Sequence, residues 1–484
     1  MSDASNRLLQ EALAGRLPVL PHERIYGSYG SLLWTTAVLS AASWAYLIGS
    51  AFPAFGNTWL SIIGYLAGLI IGEVVVVLAV GIPAYRYGLD AVDVSKAALG
   101  TRGSVLLLIA VLAASIGWAY VLVAMTARGV GHLAQVSLAP AAPVSEPTVI
   151  AVAIALLVLI WYLARRGPAA MERLSRLCAP GQMVIALCVL ILLLAAYGAS
   201  ALAGHGAPAD KAVTTDPLAQ LAYAVEFGFD NALGVLPFLG GLTRLVRHKR
   251  HVVGPTVVGS GIVGASLVAS VAALAADVTG DQDPITWMIK LAGPVAGSLI
   301  VVFLLVANVG TLVVLVYVAG VAIQQIRVLA ALSWQWVVAL TLLPGVLVAL
   351  RTEWLLNHVM TWLAYNGVMF VGVAAVMFTD YYCLRRQHLS VPDLFAKPPQ
   401  GAYWYWGGVN WIAIAVLGAA AALYLSLFDP VSLRIHSAFR YLGAGIPSVV
   451  AASLVYYVAM RLTGAHRVRP NLRAPEAETL EVTL

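Results

Sequence analysis

Residues 226–250 read EFGFDNALGVLPFLGGLTRLVRHKR. This stretch is apolar enough to lie in a bilayer. It nevertheless holds two carboxylates, an asparagine, a proline and four glycines, and it ends in a basic cluster. Glu226 and Asp230 are four residues apart, so a helix puts them on one face. Asp230 falls near the middle of a span expected at 218–245. An Asp at the centre of a spanning helix costs ~3 kcal/mol on insertion scales, so it has to be paired, protonated or wet. Gly228, Gly234 and Pro237 weaken the helix around it. Interrupted helices near the midplane are how many secondary transporters build a binding site. The expectation is therefore a discontinuous helix facing a substrate, flanked by Phe227, Phe229 and Asn231. A kinked helix with Asp230 satisfied by a neighbour is the plainer alternative.

The rest of the chain supplies the setting. Its 484 residues are 61% hydrophobic and only 10% charged, with a mean hydropathy of +0.89, which excludes a soluble globular domain. Apolar runs of spanning length recur throughout. Twelve spans are expected, at 31–52, 58–83, 104–128, 148–165, 178–203, 218–245, 252–276, 294–321, 333–350, 354–382, 404–427 and 438–461. Of the 28 Lys and Arg, only Arg128, Lys211, Lys290, Arg351, Arg434 and Arg440 fall on the outer side if the N-terminus is inside. The positive-inside rule then puts both termini in the cytoplasm. The pI of about 9.2 reflects these short basic loops and gives no reason to expect nucleic acid. Cys178, Cys188 and Cys383 form no disulfide framework or metal motif. Residues 1–27 lack the apolar core of a signal peptide and read as a polar tail with a short amphipathic piece. The tail from His466 is polar and Pro-containing.

Several spans carry polar or small residues at depth. The first has a small, hydroxyl-bearing middle, Ser40-Ala41-Ala42-Ser43, followed by Trp44. It reads equally as a break and as a packing face. In the second, Gly64, Gly68 and Gly72 make a flat groove for another helix, and Glu73 beside them reads as a carboxyl bonded across an interface, with a proton carrier as the alternative. Trp118 in span three is central, although Trp favours membrane interfaces. It reads equally as a stacking platform and as a core filler. In span eight, Asn308 and Thr311 share a face; Thr311, with carbonyls freed near Ala41, would suit Na⁺, and an interhelical hydrogen bond is the alternative. Asn366 and Gly367 sit in the middle of span ten. Asp380, just before Arg385 and Arg386, reads as a residue that orients a loop. Spans eleven and twelve, without ionisable residues at mid-depth, read as scaffold.

Four stretches resemble the nucleobase:cation symporter-1 family of purine, pyrimidine, hydantoin and allantoin permeases. The most specific is Asp380-Tyr381-Tyr382, Arg385-Arg386, Val391-Pro392-Asp393-Leu394, Gly401-Ala402-Tyr403-Trp404 and Gly407-Gly408-Val409-Asn410. The others are Ser95…Gly100…Gly103-Ser104, Gly117-Trp118, and Pro237…Thr243-Arg244. The resemblance implies an all-α integral membrane protein with a LeuT-like fold. Two five-helix inverted repeats (28–203 and 204–385) would be followed by two additional helices (386–461), between cytoplasmic tails at 1–27 and 462–484. It also implies alternating access, with substrate held between spans 1, 3, 6, 8 and 10 and Trp118 stacked on its ring. The chain departs from the family at Leu122, Gly234, Val235, Gly241-Leu242 and Val313-Val314-Leu315, which thins the usual polar clamp.

The expected function is uptake of a small planar heterocycle by cation symport across a bacterial inner membrane, by a monomer or weak oligomer. Substrate would meet Ser43, Trp44, Trp118, Phe227, Phe229, Asp230, Asn231, Asn308 and Asn366. The coupling ion would use Glu226, Asp230, Thr311 and Ala41. Two carboxylates in one span favour H⁺ over Na⁺. No other cofactor or metal is expected. An amino-acid or amine symporter on the same fold is the alternative. A membrane-embedded enzyme is disfavoured, because no cluster of His, Asp and Glu lies at membrane depth.

Overall fold

The computed structural model describes residues 3–138, 146–208, 210–326, 328–329 and 331–465. Most of the C-terminal tail therefore lies outside the described residues. In chain order the helices are α1 (Asp3–Leu13), α2 (Tyr29–Ser40), α3 (Ser43–Ser50), α4 (Thr58–Tyr87), α5 (Ala91–Leu99), α6 (Ser104–Leu138), α7 (Glu146–Ala164), α8 (Pro168–Tyr197), α9 (Pro217–Leu233) and α10 (Leu236–Thr243). They continue as α11 (Lys249–Thr279), α12 (Pro284–Gln324), α13 (Trp334–Ala349), α14 (Thr352–Phe378), α15 (Trp411–Leu427) and α16 (Gly445–Thr463). Among the described residues, eight helices are long and apolar enough to cross a membrane, or ten if each sharply bent pair counts as one span. Helices occupy every one of the twelve expected spans. The short helix α5 fills the mixed-charge loop before span three. At the start of α12 an amphipathic piece bends away at Gly293, whose φ of 77° ends the first segment just before Pro294.

The first span is broken. Ala42 adopts an extended conformation (φ −65°, ψ 178°) between α2 and α3, and the two halves meet at 55°. The Trp44 indole donates to the Ser40 carbonyl at 3.3 Å, so a carbonyl freed by the break finds a partner. The sixth span is interrupted more mildly, between α9 and α10 at Gly234-Val235, where both residues keep helical dihedrals (φ −61°, ψ −18° and φ −83°, ψ −19°) and the turn tightens without an extended break. Pro237 explains the position, since it has no N–H to offer the carbonyl four residues back.

The glycine groove of α4 is filled by α9. A Cβ on Gly68 would lie 1.9 Å from the Val225 carbonyl oxygen, and one on Gly228 would lie 2.1 Å from that of Tyr65. The two backbones therefore touch, which only glycine permits on either side. Gly68→Ala is expected to lower the melting temperature of the purified protein and to cost about 1–3 kcal/mol through overpacking. Gly418→Ala on α15, where an added Cβ meets nothing within 4 Å, is the control and should be neutral. Equal melting of the two variants would show that the contact is not a close one.

On the predicted cytoplasmic face two buried arginines tie distant segments together. Arg244, 1% exposed, donates to the Ala12 and Leu13 carbonyls at 3.1 and 2.8 Å and to the Tyr317 hydroxyl at 2.9 Å. The end of α1 is thus tied to the bundle. On the same face the longest family-like stretch forms a clamp. The Arg385 guanidinium lies 2.6 Å from the Asp380 carboxylate, both buried, donates to the Ala97 carbonyl at 2.9 Å and bonds the Tyr405 hydroxyl. Tyr456 of α16 donates to Asp380 at 3.1 Å. Asn410 donates to the Ala98 carbonyl at 2.7 Å and caps α15. The Gly408 carbonyl accepts from Arg102 and Gly103. Two of the family-like stretches, around 95–104 and 380–410, therefore hold each other.

Candidate functional site

The two breaks meet at one cavity. Its wall comes from Leu39 and Ser40 at the end of α2, Trp44 on α3, Trp118 on α6, Asp230 and Asn231 on α9, and Gly234, Val235 and Phe238 at and beyond the second break. Asn366 on α14 completes it. Trp118 and Trp44 pack edge to face, with ring centroids 5.0 Å apart and planes at 65°. Each is more than nine-tenths buried, and both border the cavity.

Asp230 is held from outside the two broken helices. Its Oδ2 accepts a hydrogen bond from the Tyr424 hydroxyl on α15, while Oδ1 is buried without a hydrogen-bond partner. Gly367 makes the room, since a Cβ there would lie 2.1 Å from Oδ1. Asn231 donates to the Tyr65 hydroxyl. Asp230 and Asn231 also line a second, larger cavity on the side of the loops at 51–57 and 428–435, together with Ile48, Phe55, Phe227 and Phe428. The same two side chains thus border the central cavity and the way into it from the predicted outer face.

Of the residues singled out in the sequence, Trp44, Trp118, Asp230, Asn231 and Asn366 line the central cavity, and Phe227 lines the outer one. Phe229 turns the other way: its ring lies 2.6 Å from where a Cβ on Gly445 would stand. The Glu226 carboxylate accepts the backbone N–H groups of Ala444 and Gly445, both at 2.7 Å, and so caps the N-terminus of α16. Ser43 and Asn308 bind each other. The Ser43 N–H donates to Asn308 Oδ1 at 3.1 Å, and the Asn308 amide donates to Ser43 Oγ at 2.7 Å and to Thr126 Oγ1 at 3.0 Å. The Asn308 amide spends both its N–H groups and its oxygen on this knot, outside the central cavity. Thr311 donates to the Val38 carbonyl at 2.6 Å, and Ala41, fully buried, ends α2. Span eight therefore fastens the break in span one.

Reading spans eleven and twelve as plain scaffold needs correction. Tyr424 of α15 reaches the carboxylate at the cavity, and the start of α16 takes the other carboxylate of α9. A tyrosine in an apolar run gives no sign in sequence that its hydroxyl meets an aspartate 194 residues away. Ser40 was visible as part of a small-residue run, but its place in the wall depends on the break. Among the described residues no group of His, Cys, Asp and Glu could hold a metal ion.

A bundle of apolar helices in which two broken ones face a common cavity is the architecture of a multi-pass membrane transporter. A family model described as "Permease for cytosine/purines, uracil, thiamine, allantoin" matches residues 28–444, and the chain belongs to that family. Among curated proteins it is 35% identical over 89 residues to the hydantoin permease of Microbacterium maritypicum, covering 18% of this chain and 15% of that protein. It is 34% identical over 108 residues to the allantoin permease of Bacillus subtilis, covering 22% and 20%. These matches thus span a fifth or less of either relative. Among solved structures, MHP1, a nucleobase-cation-symport-1 family transporter in a closed conformation with bromovinylhydantoin bound, superposes with a TM-score of 0.74. That match has 17% identity and covers 93% of this chain and 95% of that one. MhsT in complex with L-phenylalanine gives a TM-score of 0.56 at 12% identity, over 90% and 99%. The all-α transporter fold expected from the sequence is the fold of these proteins.

Proposed function

We propose that the chain imports a small planar heterocycle, a nucleobase or a related lactam, by alternating access and in symport with a cation, with H⁺ favoured over Na⁺. The reading rests on one observation: an indole pair, a carboxylate with one unpartnered oxygen and two amides converge on one point between the helices, around a space of about 30 Å³ that has to widen to admit a flat ring. A flat ring stacks on the indole edge and face. Its N–H groups find acceptors in Asp230 Oδ1 and the amide oxygens. In this proposal the repeats run over 28–203 and 204–385, with 386–461 as the added pair. Both tails are cytoplasmic, in a bacterial inner membrane, and the protein acts as a monomer or weak oligomer.

A thermal-shift panel of hydantoin, allantoin, uracil and cytosine against amino acids, with and without Na⁺, tests the substrate class, because a ligand bound only by the folded state raises the melting temperature by mass action. Stabilisation by a heterocycle alone is expected. Stabilisation by amino acids alone would favour the amine alternative, in which Asp230 pairs with a substrate ammonium.

Proton coupling is assigned to Asp230, which borders both cavities, and not to Glu226, which caps α16. In reconstituted vesicles, Asp230→Asn is expected to abolish accumulation driven by a pH gradient while leaving substrate exchange. Gradient-driven accumulation equal to wild type in that variant would rule the assignment out.

A further inference from the structure

Behind the cavity wall another buried carboxyl group is joined to it through two hydroxyls. Ser40 lines the cavity. Its Oγ lies 2.7 Å from Ser260 Oγ, which lies 2.5 Å from Glu73 Oε1. The three residues come from α2, from the π-helical segment Val257–Ser266 within α11, and from α4. Glycines let these helices come close: a Cβ on Gly264 would lie 2.9 Å from Ser40 Cβ, and one on Gly259 would lie 2.4 Å from the Leu33 carbonyl oxygen. Glu73 is fully buried and its Oε2 has no hydrogen-bond partner.

The described residues around Glu73 offer no compensating positive charge. Among the described residues it takes part in no ion pair. The α9 face packed on α4 presents Ala224, Val225, Gly228, Phe229 and Ala232. The carboxylates of α9 are engaged elsewhere, Glu226 on Ala444 and Gly445 and Asp230 on Tyr424. On α4 itself, Tyr65 is turned to Asn231. A bare carboxylate held there by one hydroxyl would bear a desolvation penalty of several kcal/mol, roughly that of any buried unpaired ion.

We propose that Glu73 carries a proton and, through Ser260, makes Ser40 a hydrogen-bond donor toward the cavity, so that these residues select substrates with a carbonyl oxygen or unprotonated ring nitrogen at that point. The count of hydrogens decides the direction, because the heavy-atom positions admit either. A proton on Oε2 would be a buried donor with no acceptor, a loss of about 1–3 kcal/mol. On Oε1 it is donated to Ser260. The Ser260 hydrogen then goes to Ser40, and the Ser40 hydrogen is left for the cavity. An ionised Glu73 would run the chain backwards and leave only lone pairs of Ser40 facing the substrate. The selection deepens the heterocycle reading and rests on it; the direction of the chain does not.

Infrared difference spectroscopy of the purified protein at neutral pH reads that direction. A protonated-carboxyl C=O band is expected that vanishes in Glu73→Gln, survives in Asp230→Asn and shifts in Ser260→Ala. Absence of any such band assignable to Glu73 would overturn the proposal. Binding of hydantoin, allantoin and uracil reads the selection. Glu73→Gln, whose amide still donates to Ser260, should bind the best probe as wild type does. Ser40→Ala should weaken it about tenfold, the worth of one hydrogen bond of roughly 1.5 kcal/mol. Weakened binding in Glu73→Gln, or unchanged binding in Ser40→Ala, would refute it. Should no heterocycle bind the wild type, the substrate reading falls, and the carboxyl band alone decides the chain.

Discussion

Trp118→Ala is expected to weaken binding of a planar heterocycle by about tenfold or more, and Trp118→Phe to retain most of it. The reason is the geometry of the cavity. Trp118 supplies an aromatic surface from α6, and Trp44 braces it edge-on from α3 at 5.0 Å. Stacking of a flat ring on such a surface is worth about 1–3 kcal/mol by alanine substitution. The phenyl ring of Phe preserves most of that surface. Trp118 also packs the core, so the alanine variant will melt lower without ligand. The loss of binding must therefore be measured at a temperature where both proteins are folded, by calorimetry. Alanine and phenylalanine variants with the same affinity would show that the indole fills space and does not recognise the substrate.

Arg385→Ala is expected to be the most damaging substitution in the chain for folding. Removing one partner of a buried ion pair costs about 3–5 kcal/mol, because the other charge stays buried and uncompensated. Here the guanidinium holds Asp380, the Ala97 carbonyl and the Tyr405 hydroxyl together and lies over the Tyr403 ring at 4.8 Å. Lysine cannot reproduce a planar fork with several fixed donors, so Arg385→Lys should rescue little. Neutralising both partners in Asp380→Asn/Arg385→Gln should do less harm than Arg385→Ala alone. Yield of monodisperse protein and melting temperature read all three. Wild-type behaviour of Arg385→Ala would mean that the clamp does not hold these segments together.

The sequence spoke clearly where bilayer physics acts on single residues. Long apolar runs can only be spans, an Asp at depth can only be special, and Pro237 after Gly234 can only weaken a helix. Trp118 stood out because an indole is uncommon at that depth. Less legible were the residues whose meaning depends on a partner far along the chain. Asn308 reads both as a ligand-binding amide and as an interhelical hydrogen bond, and only the bonds to Ser43 and Thr126 separate the two. Glu226 and Asp230 look alike, on one face of one helix, yet one caps α16 and the other faces the cavity. Tyr424 carried no signal at all. The family-like stretch from Asp380 to Asn410 revealed kinship more readily than chemistry, because its residues bind one another and the loop before α6.

The attachment of α9 to the two trailing helices bears on how the molecule turns over. Three hydrogen bonds to carboxylates, two from the backbone amides of Ala444 and Gly445 at the start of α16 and one from the α15 phenol, moor α9; carboxylate bonds of this kind are roughly twice as strong as neutral ones. Swinging that half-helix alone would tear all three at once inside a low-dielectric medium. Under the alternating access proposed above, the last pair of spans travels with α9. A covalent tether fixing α15 to α9 should accordingly leave substrate exchange running, and its loss in the tethered protein would show that the two helices part during the cycle.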